Sequence, residues 1–371
     1  MAGLYVHIPF CKSRCVYCGF YSTTALPLRQ SYVDAVCKEM EITCTKTSET
    51  TTVYLGGGTP SQLTAEQLHQ IFDAIYKYNK VSDEAEITIE CNPDDVTEAF
   101  ADSLRSLPVN RVSMGAQTFD DRRLQFLCRR HTASQVSEAI ERLRKTGIKN
   151  ISIDLIYGFP QETLDDWKCD IDRALSLGVE HISTYCLMIE EGTPLYQMLQ
   201  QGRITETDEE LERQMYEMLI DRLEASGYEH YEISNFARPG YRSRHNSAYW
   251  KGIPYIGIGS AAHSYDIATR SWNVSDIQQY IDTIRKGQRP YESETLDDDT
   301  RYNDTVTVAL RTREGLPLAT LSDRHHTHCL RCAKPFLTDG LLTIDNATQS
   351  LRLTRRGLFV SDMIMSELMI V

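Results

Sequence analysis

Leu4-Tyr5-Val6-His7-Ile8-Pro9-Phe10-Cys11-Lys12-Ser13-Arg14-Cys15-Val16-Tyr17-Cys18 runs a strand-like segment straight into three cysteines. Leu4, Val6 and Ile8 share one parity and Tyr5 and His7 the other, as in a strand with two unlike faces. Cys11, Cys15 and Cys18 then follow in C-x3-C-x2-C spacing on the loop that leaves it. Three thiolates serve three irons of a cubane and leave the fourth iron open to a ligand, whereas electron-transfer clusters usually take four cysteines. Zinc is the inorganic rival, but a closed structural zinc site needs a fourth ligand and typically pairs its cysteines across two knuckles. His7, the one histidine just before the triad, is expected on a strand to pack or to bond locally.

Outward from this segment, strand-like runs recur at residues 53–55, 85–90, 111–116, 151–157 and 181–187. Between them the apolar period becomes helical. Thr64 with Gln67, ahead of Leu68, Ile71, Phe72 and Ile75, forms a capping-box pattern, as does Thr132 with Gln135 ahead of Val136, Ile140 and Leu143. Gly147 and Gly178 stand where helix C-termini place glycine, and a further helix is expected over 208–226. Strand–helix units with short links predict an α/β fold with a parallel sheet, either open and doubly wound or curved into a partial barrel. Glu90, Gln117 and Asp154 fall at or near strand ends on the parity opposite to their apolar neighbours. They are expected to converge at the carboxyl edge of the sheet, where such folds bind ligands, unless each merely caps a turn. Gly56-Gly57-Gly58-Thr59-Pro60 follows the second strand directly, without the Lys-Ser/Thr of a P-loop or the spacing of a dinucleotide loop.

At 371 residues the chain accommodates one large domain and a small one. No apolar run is long enough for a membrane span, and the first residues show neither a secretory nor a transit pattern, so a cytoplasmic protein is expected. The 11 cysteines are an odd number in a long chain, which fits free thiols better than a disulfide framework. Cys37, Cys44, Cys91, Cys128, Cys169 and Cys186 read as small buried hydrophobes. The formal charge of −13 disfavours a nucleic-acid partner. Beyond Arg289 and Pro290 the pattern changes: 292–299 reads as a solvated linker or helix start, 341–353 as a hairpin, and Thr354 as the cap of one last helix bearing Leu358, Ile364 and Leu368.

The triad with Tyr17 before its last cysteine resembles the signature of the radical S-adenosylmethionine (SAM) superfamily. YVHIPFC, GGGTP, the ECNP around Glu90, SMGAQTF and DLIYGFP match its HemN/HemW branch in order. The resemblance implies a partial (β/α)6 barrel over 1–240, an extension carrying an H-N-x-x-Y-W motif over 241–290, and a small helical, winged-helix-like domain over 291–371. It implies a [4Fe-4S] cluster on Cys11, Cys15 and Cys18, whose open iron chelates SAM and whose electron cleaves it to methionine and a 5'-deoxyadenosyl radical. It further implies SAM contacts from Tyr5, Tyr17, Gly57, Gly58, Thr59, Glu90, Gln117, Arg129 and Asp154. Carboxylates suit ribose hydroxyls, an arginine fork suits a carboxylate, and glycines admit close backbone approach. Arg130, adjacent to Arg129, competes for that role.

In the oxidase branch, the oxygen-independent coproporphyrinogen III oxidases, a further cysteine follows the third ligand by two positions; here Phe20 stands there. That branch also carries an N-terminal extension before the first strand, whereas the sequence here begins only a few residues ahead of it. Both departures favour the HemW heme chaperones, which implies heme as cargo, an acceptor protein and an electron donor, with SAM turnover left open. His245-Asn246-Ser247-Ala248-Tyr249-Trp250 matches the motif of that branch and makes His245 a candidate heme ligand, His263 a second one; an isolated histidine more often makes a local hydrogen bond. The alternatives are coproporphyrinogen III oxidation and, against the acidic charge, radical tRNA modification. His325, His326, His328, Cys329 and Cys332 are dense in soft ligands, but on a helix such a cluster is usually incidental.

Overall fold

The structure is a computed structural model and describes residues 2–44 and 49–371. Strands β1 (Ala2–Ile8), β2 (Glu49–Gly57), β3 (Lys80–Cys91), β4 (Arg111–Gln117), β5 (Asn150–Tyr157) and β6 (His181–Cys186) lie parallel and side by side in chain order. Helices α1 (Arg29–Thr43), α2 (Ala65–Tyr78), α3 (Glu98–Ser103), α4 (Asp121–Phe126), α5 (Ala133–Lys145), α6 (Leu164–Ser176), α7 (Pro194–Gln200) and α8 (Glu209–Ala225) accompany them. A doubly wound sheet reverses its strand order at a switch point. Here the order never reverses, so right-handed crossovers put the helices on one face and leave the other face to curve around a lumen. Leu4, Val6, Leu55, Ile89, Val112, Met114, Ile153 and Ile182 pack outward into the helices. The alternate positions carry Tyr5, Tyr54, Glu90, Ser113, Asp154 and Ser183. Asp154 on β5 raises the pKa of Glu90 two strands away, as expected for side chains converging on one concave face.

Local signals act where the sequence places them. Thr64 Oγ1 accepts from the Gln67 N–H at 3.3 Å while Gln67 Oε1 accepts from the Thr64 N–H at 3.1 Å, and Gln135 Oε1 accepts from the Thr132 N–H at 2.9 Å. Thr64→Ala is expected to cost about 1 kcal/mol, read as a lower urea midpoint with an unchanged slope. Gly147 and Gly178 have φ of 98° and 59°, as helix ends require. Asp208 caps α8, its side chain accepting from the N–H groups of Glu210 and Leu211.

The sheet continues past both ends of the parallel set. Antiparallel β8 (Asn235–Ala237) and β7 (Glu229–Glu232) follow β6, while β9 (Tyr255–Ile258) runs parallel to β1 and leads to β10 (His263–Tyr265), β11 (Thr269–Asn273) and β12 (Tyr291–Thr295). Helix α9 (Arg244–Trp250) precedes β9, and α10 (Ile277–Arg285) lies between β11 and β12. Buried Glu39 of α1 locks this extension in place: it accepts from Gly259 N–H at 2.8 Å, from Asn273 Nδ2 at 2.7 Å and from the Tyr280 hydroxyl, with Arg289 Nε at 3.4 Å. The acidic stretch is therefore not simply a linker or helix start. Residues 291–295 form an edge strand, exposed at every position, and α11 (Asp298–Leu310) begins after it.

A second core joins α11, β13 (Leu316–Pro317), α12 (Asp323–Thr338), the hairpin β14 (Leu342–Asp345) and β15 (Ser350–Leu353), and α14 (Ser361–Leu368). Thr354 caps only the one-turn α13 (Arg355–Leu358); the expected single last helix breaks at Phe359 and Val360. Of the cysteines read as buried, Cys44 and Cys91 are, Cys37 and Cys186 are half-buried, and Cys128 and Cys169 are exposed. Among the described residues no helix is long and apolar enough to cross a membrane.

Candidate functional site

The loop after β1 is pinned at both ends. Cys11 N–H donates to Thr23 O at 2.9 Å and Thr23 N–H to Pro9 O at 2.7 Å; Val16 N–H donates to Leu127 O at 3.3 Å. The three thiols are half-exposed, and burial raises the pKa of Cys11 and Cys18, with the neighbouring thiols adding to it. A hydrogen-bonded chain spans the triad. Cys11 Sγ lies 3.4 Å from Thr59 Oγ1, which accepts from Asn92 Nδ2 at 3.3 Å; Asn92 Oδ1 accepts from Arg129 Nη2 at 2.7 Å; and Arg129 Nη1 donates to Cys15 Sγ at 3.6 Å. Gly115 O fixes Arg129 further, at 2.7 Å. Arg130 turns outward to Asp94 and Asp95 at 2.8 and 3.2 Å, so Arg129 is the arginine that faces the triad. Asn92, overlooked inside the ECNP motif, is the hinge of this chain. Asn92→Ala is expected to remove one anchor from each of Thr59 and Arg129, and to lower the iron retained per chain after desalting several-fold without loss of secondary structure.

Among the described residues no three His, Cys, Asp or Glu side chains are drawn around a single point as one ion would need. A cubane spreads its thiolates over separate irons and needs no shared centre. The donor set also fits a cluster in its neighbours: an arginine and a hydroxyl reach the sulfurs, the kind of hydrogen bonding that tunes such clusters.

Below the triad the lumen holds two carboxylates. The Tyr54 hydroxyl donates to Glu90 Oε1 at 2.7 Å and Gly57 N–H to Oε2 at 3.1 Å. Burial nevertheless pushes the Glu90 pKa up to about 7, with Asp154 adding repulsion, and burial pushes Asp154 to about 6. Tyr17 is held far from ionising by burial. Gln117 ends β4 in the left-handed region at φ 66°, which turns the chain across the mouth. Tyr5 sits a layer deeper, its hydroxyl 3.0 Å from His7 Nδ1, and His7 Nε2 meets Tyr21 O at 3.1 Å; that histidine bonds locally, and burial lowers its pKa to about 4.

The glycine loop has a physical reason within the fold itself. A Cβ on Gly57, whose φ is 112°, would lie 2.4 Å from the His7 ring, and one on Gly58 would lie 2.6 Å from the Pro9 carbonyl carbon. Gly58 N–H is spent on Ile8 O at 2.8 Å, and Gly57 N–H on Glu90. The glycines thus let β2 close on β1 before any ligand is considered. Two lumen residues escaped the sequence reading. Arg111 is 1% exposed and has no carboxylate within ion-pair distance among the described residues, while its charge acts on Glu90 and Asp154. Tyr185 of β6 feels both carboxylates across the lumen. Both share the inward parity of Ser113 and Ser183, the one signal that marks them.

Residues 5–174 match the model of the radical SAM superfamily, and residues 296–360 match the HemN C-terminal domain. The heme chaperone HemW of Bacillus subtilis (strain 168) is 38% identical over 331 residues, covering 88% of this chain and 87% of that protein. HemW of Mycobacterium tuberculosis (strain ATCC 25618 / H37Rv) is 35% identical over 374 aligned residues, covering 99% and 94%. The chain belongs to the HemW family. HemW-like sequence here sits on a HemN-like frame: the coproporphyrinogen III oxidase HemN of Escherichia coli, described as a radical SAM enzyme, superposes with a TM-score of 0.84 over 99% of this chain and 89% of that one. At 22% identity that likeness shows the fold alone.

The HemW-type motif on α9 faces two ways. His245 is 2% exposed; its Nδ1 lies 2.8 Å from Thr52 Oγ1, its Nε2 2.8 Å from the Tyr249 hydroxyl, and its ring stacks on Tyr54 at 5.0 Å. Burial lowers its pKa to about 3, so it is a neutral, doubly bonded wall of the lumen. An iron would reach Nε2 only by displacing Tyr249. Glu86 accepts from the backbone N–H groups of Arg244 and His245 at 3.0 and 2.9 Å, fastening the helix start under the barrel. His263 lies outside the lumen, exposed and stacked on Trp272 at 6.0 Å. The histidines and cysteines of α12 do not gather at one point: His325 Nε2 meets Asp299 at 2.8 Å, His328 Nε2 meets Leu368 O at 3.2 Å with Cys332 Sγ at 3.7 Å, and Cys329 is buried in the second core.

Proposed function

We propose that this chain is a heme chaperone that holds a [4Fe-4S] cluster through Cys11, Cys15 and Cys18, binds SAM across the mouth of its barrel, and carries heme to an acceptor protein. The observation that carries the reading is the site at the third cysteine: two positions beyond Cys18 stands Phe20, 73% exposed, where the oxidase pattern has a further cysteine. Near-full-length likeness to proteins named heme chaperones supports it. When bound, the cluster supplies one electron for reductive cleavage of the SAM sulfonium. The protein's own part is to position: Arg129 and Thr59 attend the sulfurs, Glu90 and Asp154 offer acceptors for ribose hydroxyls, Tyr17, Gly57, Gly58 and Gln117 shape the mouth around the ligand, and Tyr5 closes the lumen one layer below it.

The test is a heme titration of the anaerobically reconstituted protein, with coproporphyrinogen III supplied in a parallel assay. One heme bound per chain, with a shifted Soret band and no porphyrinogen consumed, is the expected result. Conversion of coproporphyrinogen III to protoporphyrinogen IX would replace the chaperone reading with oxidative decarboxylation.

A further inference from the structure

A cleft of about 1060 Å³ lies beneath the barrel, between α9 and the second core. It is as large as sites that enclose bulky organic ligands, which run to about 1,000 Å³. Helix α9 is the wall between two chambers. His245 and Tyr249, one turn apart, face the lumen, whereas Ser247, Ala248, Trp250 and Lys251 line the cleft. The opposite walls bring Tyr265, Ile267, Val308 and Leu321.

Three independent features mark this cleft as built for a ligand. Trp250 Nε1 is sheltered and has no hydrogen-bond partner, while the Arg311 guanidinium covers the indole at 5.0 Å. Ile267 is 52% exposed and held at φ 79°, a conformation strained for a β-branched side chain. The lining charges also depart from the rest of the chain. Arg242 is bound to Glu229 and Glu314, and Arg301 to Asp298; Arg244 and Lys251 have no carboxylate within ion-pair distance among the described residues, and Arg244 is steadied by one bond from Nη1 to Glu84 O at 2.6 Å. Two unpaired cations thus border an aromatic cleft in a chain of net charge −13.

We infer that this cleft, and not the lumen, binds heme, with the porphyrin against Trp250 and Tyr265 and the two propionates at Arg244 and Lys251. The inference rests on the heme-chaperone reading above. A porphyrin is a planar apolar ring with two carboxylates at one edge, so aromatic walls with two cations at the rim that have no carboxylate partner match it in shape and in charge. The contacts are to the ring and its propionates. Metal-free protoporphyrin IX is therefore bound at the same place.

The experiment titrates the full-length protein with ferric heme and with protoporphyrin IX. In the double variant Arg244→Gln with Lys251→Gln both affinities are expected to fall about tenfold at low salt, and their salt dependence to flatten. Ser247→Trp, which fills the cleft from α9, is expected to weaken both at least as much. Phe20→Ser, at the barrel mouth, is expected to leave both unchanged. If Ser247→Trp does not fold, the exposed-charge variant decides. Wild-type affinity in the cleft variants overturns the cleft as the site while leaving a heme chaperone; a wild-type protein that binds neither porphyrin overturns the chaperone reading itself.

Discussion

Cys15→Ala is expected to yield a folded protein without a [4Fe-4S] cluster. The thiol is half-exposed, belongs to no hydrophobic cluster, and has one side-chain partner, Arg129 at 3.6 Å. Its removal creates no cavity of the kind that makes core truncations cost several kcal/mol, so the urea midpoint of the cluster-free protein should barely move. A site-bound iron, by contrast, loses its thiolate ligand, and Phe20 occupies the next position that the oxidase pattern would use. The measurement is iron and sulfide per chain, with the visible charge-transfer absorbance, after anaerobic reconstitution. Cys169→Ala, an exposed cysteine outside the triad, should retain the full complement. Equal iron in the two variants would remove the triad from its role.

Glu90→Gln is expected to act in opposite directions on the two states of the protein. In the ligand-free state burial lifts the Glu90 pKa from 4.5 to about 7, so the fold favours the protonated acid. The stability this confers is fully present below pH ~4.5 and is lost as the pH rises through about 7. A shift of that size corresponds to about 3 kcal/mol in a dry interior, and to less where the lumen admits water. The amide cannot ionise and keeps both partners, since its oxygen accepts from Gly57 N–H while its Nε2 donates to the Tyr54 hydroxyl. The variant should therefore unfold at higher urea than wild type at pH 8 and at nearly the same urea at pH 5. SAM binding should fall, because an ionised acceptor for ribose hydroxyls is lost: about tenfold to a hundredfold, from about 1.5–3 kcal/mol. Wild-type SAM affinity should rise with pH through about 7 and the variant's should not. An unchanged SAM affinity with an unchanged pH slope would exclude Glu90 from the site.

The inward parity of Glu90 and Asp154 is legible because alternation along a strand is enforced by the pleat itself, and the strand order then brings them together. The reason for the glycines is not legible. Whether Gly57 spares room for a ligand or for the His7 ring depends on how β1 and β2 approach, a distance no local pattern encodes. The division of α9 between two chambers is hidden for a related reason: seven residues with His245, Tyr249 and Trp250 among them look aromatic on every side. Residues 291–295 lacked the apolar alternation that reveals a strand, because a strand exposed on both faces has none to show. Phe359 and Val360 continue an apolar helical period and still end α13, their packing against other elements overriding propensity.

That same edge strand has a consequence for how copies of the chain meet. An unprotected strand edge is a template for sheet-to-sheet growth between molecules. Two copies of β12 paired antiparallel about Ser293 would set Glu292 of each against Glu294 of the other, four carboxylates within one short ladder. Strand β12, at one edge of the 12-stranded sheet, thus sets like charges against each other in such a pair, with Arg270 Nε at 2.7 Å from Glu294 offsetting part of the repulsion.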